Sequence, residues 1–409
     1  MKVSAMSRPI AYWVYLLYGA LILVGLVSLL RYLPLFFPPV QYDFRAYYAA
    51  GYAVIHQLSI YEKHLDYQPV FLYMPITAVF FVPLAWFPIS IALWIWYAIN
   101  LVVWGSWIWL LIKNIPLTRR QQLLVIVTAV VLPASIDIIS LGQITHLIML
   151  GIVAALVLLR RGASGWAGVI VGLVIIIKVQ LLLLALLFIW RKDIRGAFAT
   201  VATVGIGILL GALALGWATV GEWVNAIQQK AVVSAIFPVN QSLSASITRF
   251  FVPQQVQTAV LRIDNAQQIP VSALLTPAWL AQWVVVCVII CIGWYSYQRV
   301  RTITDSDMQA AIVLPIMLLV TPLSWDSYMV YLLWPIALLW AKVQHTRDVI
   351  WLSLIVGCMI VHRFWRVLVW QFHSPLVLIW GCVAMLCCWW AIIRIDNRLV
   401  QEEDQNGTH

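Results

Sequence analysis

The chain has 409 residues, of which 64% are hydrophobic and only 10% charged, and long apolar runs recur from one end to the other. That composition excludes a soluble globular protein and reads as a polytopic, all-α membrane protein. The net charge of +10 does not imply a nucleic-acid surface, because the Lys and Arg residues sit in short clusters between apolar segments, where they act as topology signals. All six cysteines lie inside apolar segments without zinc-ligand spacing, so they read as small apolar residues rather than as a disulfide or metal framework.

In chain order, Lys2 and Arg8 precede an apolar run at 11–30 that lacks a small-residue cleavage site, so it reads as a retained first span with a cytoplasmic N-terminus. The loop at 34–68 is then exterior. Within it, Phe44, Tyr47, Tyr48, Tyr52, Ile55 and Leu58 recur at helical spacing, which predicts an amphipathic helix along the interface. Asp43 stands at the start of that helix, and two readings are open for it: a helix N-cap, or a general base with one carboxylate oxygen free. Between Pro75 and Pro88 only 12 residues intervene, about 18 Å as a helix against a hydrocarbon core of about 30 Å. That stretch predicts a half-buried element ahead of a true span at 89–112.

The basic clusters at Lys113/Arg119/Arg120, Arg160/Arg161, Arg191/Lys192/Arg195, Arg299/Arg301, Lys342/Arg347 and Arg394/Arg398 are all cytoplasmic only if the chain between 162 and 190 goes out and returns. A charge at mid-membrane costs about 2.5–3.5 kcal/mol, so Lys178 is placed where two short spans meet at the exterior surface. The resulting expectation is about twelve transmembrane helices, large exterior loops at 34–68 and 219–277, and both termini in the cytoplasm. A single membrane domain covers 1–395, with a polar, disordered cytoplasmic tail at 396–409.

On this topology the costly polar residues crowd one face rather than lining a path through the membrane. Asp43 and Arg45 fall there, as do Asp137 with Gln143 and His146, Asn240-Gln241-Ser242 with Arg249, and Trp325-Asp326, joined by His362, Arg363 and Arg366. Crowding on one face favours chemistry at the outer leaflet over ion transport.

Several stretches, in order, resemble glycosyltransferase family 87, membrane enzymes of GT-C architecture that include polyprenol-phosphate-mannose-dependent mannosyltransferases. They are Asp43 through Tyr61, Phe71 through Pro83, Gly142-Gln143-Ile144-Thr145, Gly168 through Lys178, Asn240 through Leu243 with Arg249, and Thr321 through Asp326. Departures include Met74-Pro75 where the family favours a Pro pair, Val179 where it has Pro after the Lys, and Asp326-Ser327-Tyr328 where it has a His pair after the Trp. The last bears on sugar and acceptor identity.

The resemblance implies a plasma-membrane hexosyltransferase, mannose favoured, that takes its sugar from a polyprenyl-phosphate donor and passes it to a lipid or glycan acceptor at the exterior face, with inversion. It implies Asp43 as the general base. Lys178, Arg249, Arg363 and Arg45 are candidates for the lipid phosphate, in that order. Gln143, His146, Asn240, Gln241, Trp325 and Asp326 are candidates for sugar or acceptor, against the plainer readings of capping groups, a satisfied interfacial histidine and an aromatic-belt tryptophan. No cofactor or metal is expected, since one acidic residue per loop makes no Asp-x-Asp-like cluster and a lipid monophosphate leaving group can be neutralised by Lys and Arg. Two other readings stand beside this one. A flippase or transporter of a lipid-linked saccharide would show internal repeat symmetry, which the chain lacks, and an inactive relative would act in envelope assembly.

Overall fold

A computed structural model describes residues 42–66, 68–233, 237–257, 268–303, 305–343 and 346–406, with 12, 16, 19–27 and 30 of the N-terminal segment. Side chains at 231–233, 254–257, 268–270, 346, 363, 365–367, 370 and 397–406 lie outside that description. Part of the expected first span and the start of the first loop therefore fall outside the described residues. The chain divides into two compact units, one formed by 26–114 with 134–232 and the other by 1–25, 115–133 and 233–409.

In the first unit the helix Tyr42–Ile55 packs on the short helices Pro75–Phe80 and Val82–Ala85. Gly51 allows the closest approach, since a Cβ there would stand 2.6 Å from the Phe81 carbonyl oxygen. The long helix Ile89–Asn114 follows, and the chain re-enters the unit through Pro133–Leu141, Thr145–Arg160 and Ser164–Ile177. At Lys178 the backbone is extended (φ −145°, ψ 93°), and a 3-10 turn over Val179–Ala185 replaces the helix. The chain then doubles back, because both Gly168, early in the helix before the break, and Phe188, after it, pack on Gly196.

Ile194–Leu215 runs parallel to Ser164–Ile177 along a seam of small residues. Gly168 meets Gly196 and Ala199, Gly172 meets Thr200 and Thr203, and Ile176 meets Gly207. Thr200 Oγ1 donates across the seam to the Gly168 carbonyl at 3.1 Å. Close backbone approach through small residues is how helices associate where lipid supplies no hydrophobic drive.

The second unit is built around Ser306–Val320, which is buried over nearly its whole length, packed with Leu333–Ala341 and the N-terminal part of Trp380–Asn406. Thr346–Arg363 packs on Trp380–Asn406, and Leu243–Phe251 lies against Leu280–Val300. The unit also carries a departure from an all-helical chain, an antiparallel ribbon in which Gln254–Gln257 pairs with Gln268–Val271.

Ile89–Asn114, Ile194–Leu215 and Leu280–Val300 are long and apolar enough to cross a membrane. Arg119–Val131 with Pro133–Leu141 is a fourth candidate if the interrupted pair is one span. Ile194–Leu215 turns Phe198, Val201, Ile206, Leu209, Leu210 and Leu213 outward and buries Gly196, Thr200, Gly207 and Gly211. Bulky apolar groups outside and small ones inside suit hydrocarbon as the solvent, and the protein is a membrane protein.

Two expectations change. The tail at 396–409 was expected to be disordered, but the final helix continues through Asn406, since the run from Asp396 contains no Pro or Gly before Gly407. The helix expected through Leu58 ends at Ile55, with Gln57 left-handed (φ 56°), and it is not a one-sided amphipathic element. Phe44, Ala46, Tyr47, Tyr48, Ala49, Ala50, Gly51 and Ala53 are all buried, because short residues on the second face admit neighbouring helices.

Gly172→Leu places its Cβ 2.6 Å from Thr203 Cβ, and overpacking of this kind costs ~1–3 kcal/mol. The expected outcome is a lowered midpoint for heat-induced loss of the monodisperse species in detergent, with Gly205→Leu, whose added Cβ meets nothing, as the unaffected control.

Candidate active site

Asp43 lies inside the first turn of Tyr42–Ile55 rather than before it, where the helix dipole favours a carboxylate. Its Oδ2 accepts a hydrogen bond from Gln143 Nε2 at 2.7 Å. Oδ1 accepts none among the described residues. The N-cap reading therefore gives way: the carboxylate is held by a side chain from another helix junction and, among the described residues, keeps one oxygen available.

Gln143 reaches Asp43 because of a glycine turn. Pro133–Leu141 ends with Gly142 in the left-handed region (φ 69°), where only glycine is free of strain. Gly142 and Gln143 amides return to Ile139 and Ile138 carbonyls, and Trp96 Nε1 donates to the Gly142 carbonyl at 2.8 Å. Thr145 Oγ1 donates to Gln143 Oε1 at 3.3 Å, which leaves the Gln143 NH₂ group turned toward Asp43.

One turn beyond Asp43, the Tyr47 hydroxyl pairs with the Tyr73 hydroxyl at 2.8 Å and accepts from the Ile144 amide at 3.3 Å. Its ring stacks on Phe81, with centroids 4.9 Å apart. Lys178, buried at the helix break, and Lys230, on the helix Trp217–Val233, both act on the Asp43 charge. Thr77 Oγ1 donates to the Ile176 carbonyl at 3.4 Å, just before Lys178. The helix bearing Lys230 is fastened to the 56–74 segment, where Ser59 donates to Glu222 at 2.9 Å and Trp223 Nε1 donates to the Leu72 carbonyl at 3.4 Å. Burial pushes the Asp43 carboxyl above the usual carboxylate range, while the Gln143 hydrogen bond, Lys178 and Lys230 pull it the other way.

The model of the family described as "Glycosyltransferase family 87" matches residues 71–322. The chain belongs to glycosyltransferase family 87. The matched span takes in Gln143, Lys178, Lys230 and Arg249 and ends before Trp325-Asp326, with Asp43 upstream of it. A polyprenol-phosphate-mannose-dependent alpha-(1-2)-phosphatidylinositol mannoside mannosyltransferase of Mycolicibacterium smegmatis is 24% identical over 351 residues, 79% of this chain and 72% of the relative. No solved structure matches the chain. This family 87 member is thus a membrane glycosyltransferase.

The remaining candidates separate by what their side chains touch. Arg249, fully buried, donates to the carbonyls of Leu378, Phe237 and Asn240. Gln241 Nε2 donates to the Pro238 and Leu378 carbonyls at 2.6 and 3.0 Å, and its Oε1 accepts from the Gly381 amide at 3.0 Å. Asn240 Oδ1 accepts from the Ser242 and Ser324 amides, and its Nδ2 donates to the Pro322 carbonyl. All three were expected to bind ligand. In the structure they bind backbone, because the loops they join leave amides and carbonyls with no water to take them. His146 is likewise a core residue, fully buried, stacked on Trp104 and accepting from Trp107 Nε1 at Nδ1.

Arg45 donates to the Asp66 carbonyl at 3.4 Å; two residues along a helix from Asp43, it points to another side. The Arg363 side chain lies outside the described residues. Trp325 and Asp326 are partly exposed on a corner fastened to Asn240-Gln241 by the Asn240–Trp325 bridge and by Asp326 N–H to the Val239 carbonyl at 2.9 Å.

Sequence reading missed Lys230, Tyr47 and Tyr73. Tyr47 carried a usable signal, since it stands four residues after Asp43 and so on the same face. Lys230 is an isolated cation without motif or cluster.

Arg249→Met takes the guanidinium from the buried Asn240 carbonyl, and Gln241→Leu takes partners from the Pro238 carbonyl and the Gly381 amide, while the Leu378 carbonyl keeps one donor in either variant; each group left unpaired costs ~1–3 kcal/mol. The expected result is loss of stable protein, seen as aggregation or a steep fall in the detergent unfolding midpoint, with neither variant recovering when a lipid phosphate is added.

Proposed function

We propose that this enzyme transfers a hexose, mannose favoured, from a polyprenyl-phosphate sugar to a lipid or glycan acceptor at the exterior face of the plasma membrane, with inversion at the anomeric carbon. The observation that carries the reading is the Asp43 carboxylate, held at one oxygen by Gln143 and facing the charges of Lys178 and Lys230. The relative's name supplies the donor class and suggests a mannosylated phosphatidylinositol as acceptor.

In this mechanism the acceptor hydroxyl gives its proton to Asp43 Oδ1 as its oxygen attacks the anomeric carbon. The bond from that carbon to the phosphate oxygen breaks, and its electron pair leaves with the polyprenyl phosphate. A diester anion becomes a monoester dianion, and Lys178 and Lys230 offset the added charge. Gln143 orients the carboxylate. Arg249, with its donors directed at carbonyls, is not part of this scheme. No cofactor or metal takes part. The topology that goes with it is the one expected from the basic clusters, about twelve spans with both termini cytoplasmic, the Tyr42–Ile55 helix and the Lys178 break at the exterior side.

The deciding assay measures radiolabelled mannose passed from polyprenyl-phosphate mannose to phosphatidylinositol mannoside. Asp43→Asn is expected to lower kcat by about 10²–10⁴ with the protein still folded; near-normal turnover would place the base elsewhere. Lys230→Met is expected to lower kcat as well, and a change in donor KM alone would make Lys230 a binding group without a role in charge development.

The pH dependence carries a sign. Asp43 works as a base only when ionised, and burial raises its pKa above that of an ordinary carboxylate. Activity should therefore rise with pH along an acid limb that lies above the ordinary carboxylate range. Gln143→Leu removes a hydrogen bond that favours the ionised form, so the limb should move to higher pH. A limb that stays in place would separate Gln143 from the titrating group.

A further inference from the structure

The second unit contains an acid and an imidazole outside the arrangement just described. His362, the penultimate residue of Thr346–Arg363, has a side chain only 5% exposed, and among the described residues neither ring nitrogen has a hydrogen-bond partner. Its Nε2 faces Asp326 Oδ2 at 3.8 Å, too long for a direct hydrogen bond. The Asp326 side chain is 26% exposed, so the carboxylate stands at the mouth of the feature with the imidazole behind it. Asp326 Oδ1 accepts from the Ser327 amide at 2.8 Å. The Ser327 hydroxyl, also buried, has no partner among the described residues. Trp325, next to Asp326 in the chain, is partly exposed, and Phe237 meets its ring edge-on with centroids 6.4 Å apart.

Burying an imidazole with both nitrogens unmatched is costly unless something visiting the site pairs with it. Asp326 accepts hydrogen bonds and does not donate when ionised, and a ring N–H of His362 donates. One hydroxyl group serves both, donating to the carboxylate and accepting from the imidazole, from a position ~2.8 Å from each. A phosphate is disfavoured, because the carboxylate offsets any charge on His362 and repels the anion. An aromatic residue next in the chain to paired polar groups suits the mixed apolar and hydroxylated faces of a sugar.

We propose that Asp326 and His362, with the Ser327 hydroxyl and the Trp325 ring, form a recognition site for a neutral sugar ring. The site reads hydroxyl groups, not phosphate. Donor sugar and acceptor glycan share that chemistry. The proposal deepens the transferase reading and rests on it for the identity of the lipids, but its test requires no turnover.

The test is native mass spectrometry of the purified full chain with two matched lipid pairs: polyprenyl-phosphate mannose against polyprenyl phosphate, and phosphatidylinositol mannoside against phosphatidylinositol. The wild type should favour the sugar-bearing member of one pair roughly three- to tenfold, the ratio that a hydrogen bond of ordinary net strength represents. Which pair shows the preference assigns the site to donor or acceptor. Asp326→Ala, at a partly exposed position, and His362→Phe, which keeps a ring of similar size, should each remove the preference while leaving affinity for the sugar-free lipid unchanged. A role in packing alone would lower stability without moving that ratio. No preference in the wild type, or full preference in the folded Asp326→Ala protein, overturns the proposal even if His362→Phe does not fold. Absence of mannose transfer in a wild type that keeps its sugar preference would count against the transferase reading alone.

Discussion

A helix that breaks inside a membrane protein leaves amides and carbonyls that hydrocarbon does not solvate, and each has to find a partner within the chain. This chain breaks its helices repeatedly, at Gly142, at Lys178 and before Asp326, and much of its internal polarity answers that demand. Arg249, Gln241 and Asn240 together hold the 237–242, 322–324 and 378–381 segments through backbone groups. Remove that demand and these three residues would look like a ligand site. With it, they look like the joinery of three chain reversals.

The same demand explains what remains open to chemistry. In the first unit Gly142 and Trp96 complete the turn that carries Gln143, so the Gln143 amide does not have to serve the backbone and can hold Asp43. In the second unit the buried arginine and amides fasten the corner, so Asp326 and Trp325 are left partly exposed. Each unit thus divides its polar residues between support and display, and the supporting set is the more deeply buried.

Family membership was legible because short motifs recur in order along the chain, and the broken hairpin was legible because a lysine amid apolar residues is hard to place otherwise. The helix Ile89–Asn114 followed from length alone. What each polar residue touches was not legible. Asp43 and Gln143 are 100 residues apart in sequence, and nothing in either segment says that they meet. Arg249 matched the family pattern as well as Gln143 did, and His146 stands next to a matching stretch, yet one is bound to carbonyls and the other lies between tryptophans. Sequence spacing reports which turn of a helix a residue occupies. It does not report whether a backbone carbonyl from a distant segment has already claimed the donors. Lys230 shows the converse, a cation with no motif that folding brings within the field of the carboxylate.

The buried Arg249 has a consequence for how the chain is made. Its guanidinium donates to the Leu378 carbonyl, 129 residues downstream, and Gln241 bonds the same carbonyl across 137 residues. When the Leu243–Phe251 helix leaves the ribosome, that shared carbonyl has not yet been synthesised, although the Phe237 and Asn240 carbonyls that Arg249 also binds already have. A cation that will end fully buried must therefore wait in water or at the lipid headgroups until most of the protein has been inserted. Assembly of the second unit is by that argument a late event, completed from the C-terminal end, and a ribosome that stalls before Leu378 leaves behind a protein with its first helices in place and its arginine still outside.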